Sequence, residues 1–259
     1  MINIKDILVL IILFAANLLQ AITGFAGTLI SMPPVLKLIG AGEAKALLNA
    51  VAQISSLMIV CTGFKYINWK EFFKIFGCMV CGMVVGIWIY NRFPLNQLLI
   101  FYGVMIMIIA LKKMFIKEKK EKTIPIWAGI LILLAAGIIH GMFVSGGALL
   151  VIYAAAVLKD KQEFRATVAL IWVTTGCYIT GTQVVTGNFN SHVIWLLLIG
   201  IIPVFVGTVI GTKLVKRIPQ EIFMKLTLSD NPLKADRQKI KDIIVEKTIK
   251  DGVELYKRI

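Results

Sequence analysis

Charge is scarce in this chain: Asp, Glu, Lys and Arg fill 16% of its 259 positions, against 58% hydrophobic residues. A water-soluble domain covers its surface with charge, so this composition excludes a soluble globule. No loop ending in Gly-Lys-Ser or Gly-Lys-Thr is present to cradle a phosphate, which argues against ATP-driven transport within the chain. There is no metal-binding histidine pair and no Ser–His–Asp set, so neither an enzyme nor a cofactor is expected. Cys61, Cys78, Cys81 and Cys177 all fall in apolar segments. The two-residue gap between Cys78 and Cys81 is that of redox and metal motifs, but on a lipid-embedded helix it reads as a pair of small packing residues.

Acidic residues are also outnumbered, and the formal net charge is +14. The basic residues sit in short gaps between apolar segments without interleaved aromatics, a pattern of membrane topology and not of nucleic-acid binding. The densest cluster, Lys112, Lys113, Lys117, Lys119, Lys120 and Lys122, reads as a cytoplasmic loop between two halves. Lys5 and Asp6 precede the first apolar run without a net basic region or a small-residue cleavage site, so no removable signal peptide is expected.

What is abundant is apolar sequence, with a mean hydropathy of +0.85. None of it alternates like a barrel strand, so the expected class is an all-α integral membrane protein in a lipid bilayer. The legs run over 7–23, 27–39, 46–62, 72–90 and 98–111, then 124–144, 147–158, 166–186 and 193–212. The second set repeats the first. Gly27, Glu43 and Ala46 return as Gly147, Glu163 and Ala166, each displaced by 120 positions. The repeat divides the chain into a first transmembrane unit (1–111), a basic linker (112–123), a second unit (124–228) and a charged tail (229–259). It calls for ten apolar legs and nine are found, because 222–228 turns into a tail with eight basic and six acidic residues.

The legs 27–39 and 147–158 are short: at ~1.5 Å per residue each reaches roughly 20 Å, against a hydrocarbon core of roughly 30 Å. Each follows a glycine break and reads either as the return arm of a hairpin or as a tilted short crossing, with Pro33-Pro34 disrupting the first copy further. Both options return the chain to the side it came from. With the lysine cluster inside, Lys159, Lys161, Arg165, Lys213, Lys216 and Arg217 then fall inside, as do Lys65, Lys70 and Lys74, while the loop with Glu43 and Lys45 falls outside. The two halves are therefore expected to be inverted repeats, an arrangement of secondary transporters.

Half-helix N-termini from opposed halves would meet near mid-membrane, where unpaired N–H groups attract anions. The candidate substrate-binding residues are Gly24, Phe25, Ala26 and Gly27 with Thr23 and Thr28, and Ser145, Gly146 and Gly147. Close helix packing is the alternative reading of the glycines, and it is preferred for the matched pairs Gly82/Gly86 and Gly207/Gly211. His140, whose repeat partner is Gln20, fits three roles: donor to an anion, carrier of a coupling proton, or partner of a facing carbonyl. Asn49, Gln53, Thr174 and Thr175 either line the path or bond helix to helix. Glu43 and Glu163 suit helix starts, and Lys45 and Arg165 follow one residue later; capping and interface anchoring is the preferred reading of these charges, with a role at the entrance of the path as the alternative.

Four segments, GFAGTLISMP (24–33), GAGEAKALLNA (40–50), GIIHGMFVSGGALLV (137–151) and EFRATVALIW (163–172), together resemble the TauE/SafE family of sulfite and organosulfonate exporters over about residues 5–228. The resemblance implies an inner-membrane permease with two repeated halves that moves small sulfur oxyanions such as sulfite or sulfoacetate. It also places the family's glycine-rich segments on Gly24–Gly27 and Ser145–Gly147. Family members end in a further hydrophobic helix, where this chain has its tail. A non-transporting membrane subunit, scaffold or inactive truncated transporter is the alternative, and homo-oligomerisation is compatible with either.

Overall fold

A computed structural model describes residues 3–115, 124–219 and 223. Most of the basic linker and the whole charged tail lie outside the described residues. Nine α-helices are described: α1 Ile4–Thr23, α2 Ala26–Ile39, α3 Ala41–Gly63, α4 Trp69–Arg92, α5 Leu95–Phe115, α6 Ile126–Phe143, α7 Gly147–Val157, α8 Lys161–Val185 and α9 Ser191–Arg217. No strand occurs among the described residues. Six helices, α1, α3, α4, α6, α8 and α9, are long and apolar enough to cross a bilayer. The chain is an all-α integral membrane protein.

Several helices, α4, α8 and α9 among them, start upstream of their apolar legs, because a capping side chain and not hydropathy sets the first turn. Asp160 accepts from the N–H groups of Gln162 and Glu163 at 2.8 and 3.0 Å, so α8 starts at Lys161 and carries Arg165 inside it. Asn68 and Asn190 cap α4 and α9 by accepting from Glu71 N–H (3.1 Å) and Val193 N–H (2.9 Å). Asn3 and Asp6 close a capping box that opens α1 at Ile4. Pro33-Pro34 does not break the second helix as expected: α2 runs through both prolines to Ile39. The missing N–H groups release only the carbonyls of Leu29 and Ile30, a loss that packed membrane helices tolerate.

The packing exchanges the two halves. α4 lies on α6 as α9 lies on α1; α3 faces α8; α2 and α7 each pack on the helix before them. Glycines lie in the two most extensive helix crossings. Gly82 and Gly86 press α4 against the backbone of Leu134 and Ile138, while a methyl on Gly207 or Gly211 would lie 2.9 Å from Phe14 O or 2.7 Å from Leu18 O. The outer faces stay apolar, with Phe73, Val84 and Trp88 on α4 and Leu198, Ile202 and Phe205 on α9 exposed. Such a surface suits lipid and not water. Cys61, Cys81 and Cys177 are exposed free thiols and Cys78 is half-buried.

Candidate functional site

Both short helices begin at a left-handed kink. Gly24 (φ 89°) ends α1 and donates its N–H to Gln20 O at 2.6 Å; Val144 (φ 55°) ends α6 and donates to His140 O at 2.8 Å. For glycine that conformation is free, whereas for a β-branched residue it costs ~1–2 kcal/mol. Surrounding packing therefore holds Val144, which is 2% exposed. Thr23 bridges the first kink, giving its proton to Leu19 O (2.8 Å) while its Oγ1 accepts from Ala26 N–H (3.1 Å), the first residue of α2. Ser145 in the second kink is buried and accepts from the Tyr102 hydroxyl at 2.6 Å.

The two breaks touch. A methyl placed on Gly147, the first residue of α7, would stand 3.2 Å from both Cβ and O of Phe25 at the start of α2. Gly146 packs on the α6 backbone at Ala136 and on Cβ of His140. Between the breaks is a chamber of about 10 Å³, lined by Gln20, Phe25, Thr28, Asn49, Ala52, His140, Val144 and Trp172. It has room for about one water. A neighbouring cavity of about 10 Å³ shares Gln20, Thr28 and Ala52 and adds Gly27 and Ser31.

Four residues named from sequence thus line the chamber: Phe25, Thr28, Asn49 and His140. Gly24, Ala26, Gly146 and Gly147 are not among its lining residues. Gln53 and Thr174 stand elsewhere. Gln53 Oε1 accepts from the Thr180 hydroxyl at 2.6 Å and its Nε2 donates to Val173 O at 3.4 Å, joining α3 to α8. Thr174 bonds its own helix at Leu170 O, 2.9 Å. One position further round α8, Thr175 faces His140 instead. Asn49, 1% exposed, adds to the α3–α8 seam through Thr180 Oγ1 (2.8 Å) and Gly176 O (3.1 Å).

His140 has a defined donor pattern. The Thr175 hydroxyl gives its one proton to Ile171 O at 2.6 Å, so toward His140 Nε2, 3.3 Å away, it acts as acceptor. That makes Nε2 the N–H and leaves Nδ1, buried and without a hydrogen-bond partner among the described residues, as the unprotonated acceptor nitrogen of the neutral ring. Trp172, which sequence reasoning did not single out, closes the wall: its Nε1 donates to Gly24 O at 2.8 Å, and its ring lies 5.0 Å from the His140 ring. Only its place in the EFRATVALIW segment signalled it.

Lys45 and Arg165 are not interface anchors in water: they are 3% and 4% exposed. Lys45 Nζ donates to Gly141 O at 2.6 Å, and Arg165 Nη2 donates to Ala21 O at 2.5 Å. These carbonyls lost their helical partners at the breaks, since they lie in the last turns of α6 and α1. Each half thus caps the broken helix of the other with a cation. A second reciprocal pair lies nearby, with Asn190 Nδ2 donating to Glu43 Oε1 and Asn68 Nδ2 to Glu163 Oε1, both at 2.6 Å. Glu43 also meets His192 Nδ1 at 2.7 Å, and His192 Nε2 lies 3.2 Å from Asp6.

This geometry sits within a stretch that a known family covers. The family model described as "Sulfite exporter TauE/SafE" matches residues 8–229. The chain belongs to the TauE/SafE family. Among curated proteins, this TauE/SafE member is similar to the "Probable inner membrane transporter protein TsaS" of Comamonas testosteroni, with 21% identity over 157 residues, 60% of this chain. The match spans 66% of that relative's length. No solved structure matches the chain. The matched stretch contains both breaks, the chamber and both buried cations of this TauE/SafE protein.

Proposed function

We propose that this protein is a permease for small sulfur oxyanions, such as sulfite, sulfoacetate or other organosulfonates, and that it works by alternating access around the chamber between α2 and α7. The observation that carries this is the meeting of two helix N-termini, at Phe25 and Gly147, beside a buried polar chamber. Each such end carries a partial positive charge of about half a unit, and no bulky side chain separates a ligand from the N–H groups at a glycine. Family membership and the transporter name of the relative support the same reading.

The chamber as it stands holds little more than a water, so it corresponds to a closed conformation. Entry requires one half to move against the other. Reciprocal packing of α4 on α6 and α9 on α1 supports two halves related by exchange, in keeping with the inverted orientation expected from the basic loops. The proposed location is the inner (plasma) membrane, and the proposed driving force is a proton gradient or the membrane potential. His140 Nδ1 is the proposed site of a coupling proton. Purified protein in liposomes tests the reading: flux of sulfite or sulfoacetate under an imposed gradient is expected, and its absence for all sulfur oxyanions would remove the claim.

A further inference from the structure

Lys45 and Arg165 do more than cap. Among the described residues neither forms an ion pair, so two basic groups stand in an apolar interior without a carboxylate. Such groups are costly there and mark ion or substrate pathways. Each has spare donors. Arg165 Nε is buried with no partner, and Lys45 Nζ makes one hydrogen bond while resting 4.1 Å from the centre of the Tyr90 ring. His140 Nδ1 is a third unpartnered buried atom in the same region.

Their positions tie them to the chamber. Arg165 ends on Ala21 O and Lys45 on Gly141 O, each carbonyl next in sequence to a lining residue, Gln20 or His140. Along the helices, Lys45 stands one turn before Asn49 and Arg165 two turns before Trp172, both of which line the chamber. The Cα of Arg165 would lie 3.9 Å from a Cβ on Gly24.

Resting on the permease reading, we infer that Lys45 and Arg165 are the counter-charges of the transported anion and set its valence at two. In the closed conformation they are parked on carbonyls of the opposite half. As the chamber widens, each exchanges its carbonyl for an oxygen of the anion, and a dianion neutralises both cations at once. A monoanion would leave one of them uncompensated. No covalent step is involved.

The probes are sulfate and methanesulfonate, near-isosteric anions that carry two charges and one at neutral pH, with sulfoacetate as a second dianion. Binding is read from Trp fluorescence in detergent and flux from proteoliposomes. The wild type is expected to prefer the dianions by at least about tenfold, the factor that ~1.4 kcal/mol of differential binding gives. Lys45→Gln and Arg165→Gln should each bring that ratio near unity, while Lys45→Arg and Arg165→Lys retain it. Equal binding of dianions and monoanion by the wild type overturns the inference, as do neutralised variants that keep the preference. If the Gln variants do not fold, the wild-type ratio alone decides. Dianion-selective binding without flux would sink the permease reading and leave Lys45 and Arg165 standing as the counter-charges of a bound dianion; flux without dianion preference does the reverse, and a wild type that binds none of the three anions overturns both.

Discussion

Thr175 Oγ1 lies 3.3 Å from His140 Nε2 while its own proton is committed to Ile171 O. The hydroxyl thus orients the imidazole and turns Nδ1 toward chemistry that the fold does not use. His140→Gln keeps a side-chain donor but holds no titratable proton. In proteoliposomes it should retain anion flux within roughly tenfold, the scale of one net hydrogen bond, and lose its dependence on an imposed pH gradient. A variant with an unchanged gradient response would rule out proton coupling through this residue.

The contact between Gly147 and Phe25 makes a graded prediction for the breaks. A methyl on Gly27 would meet Gln20 Oε1 at 2.6 Å and Ala16 O at 2.7 Å, whereas on Gly147 it would meet Phe25 at 3.2 Å. Overpacking of this kind costs ~1–3 kcal/mol. Thermal unfolding in detergent should therefore show Gly27→Ala more destabilised than Gly147→Ala.

On α4, Gly86 abuts the Ile138 backbone and Gly77 has nothing within 4 Å. Gly86→Ala should lower stability by ~1–3 kcal/mol, while Gly77→Ala should leave it equal or raise it by up to ~1 kcal/mol through helix propensity alone. Equal effects at the two sites would contradict the α4–α6 packing.

Asn49 and Thr180 join α3 to α8 at 2.8 Å. A double-mutant cycle with Asn49→Ala and Thr180→Ala should give a coupling of ~0.6 kcal/mol, the usual scale between membrane helices. Additive losses would show that the seam does not depend on this bond.

A fusion reporter after Lys161 tests the orientation of the halves. Inverted repeats place that loop on the cytoplasmic side, and one inserted at Gly187, in the uncharged loop before α9, should report from the opposite side. An extracellular signal from the reporter after Lys161 would reject the arrangement.

Much of the fold was legible because apolar run length and glycine breaks are local signals. The nine legs correspond to nine described helices, and the repeat spacing of 120 paired the residues that later proved reciprocal, Lys45 with Arg165 and Glu43 with Glu163. In α3 and α8 the first uncharged residue of the apolar leg is not where the helix starts. Arg165 precedes the apolar leg at Ala166, yet Asp160 caps the helix more than a turn earlier and carries the guanidinium inside. The same shift buried Lys45 in α3.

By itself, the sequence determined that the chain is helical and membrane-embedded, since hydropathy is written along one dimension. Only tertiary structure decided which side chains share the chamber. Thr175 and not Thr174 faces His140, Gln53 turns to the α3–α8 seam, and Trp172 closes a wall 148 positions from its carbonyl partner on Gly24. The reason is geometric: a step of one residue turns a helix by ~100°, and the partner that fills a face comes from a different helix, for Gln53 and Trp172 one in the other half of the chain.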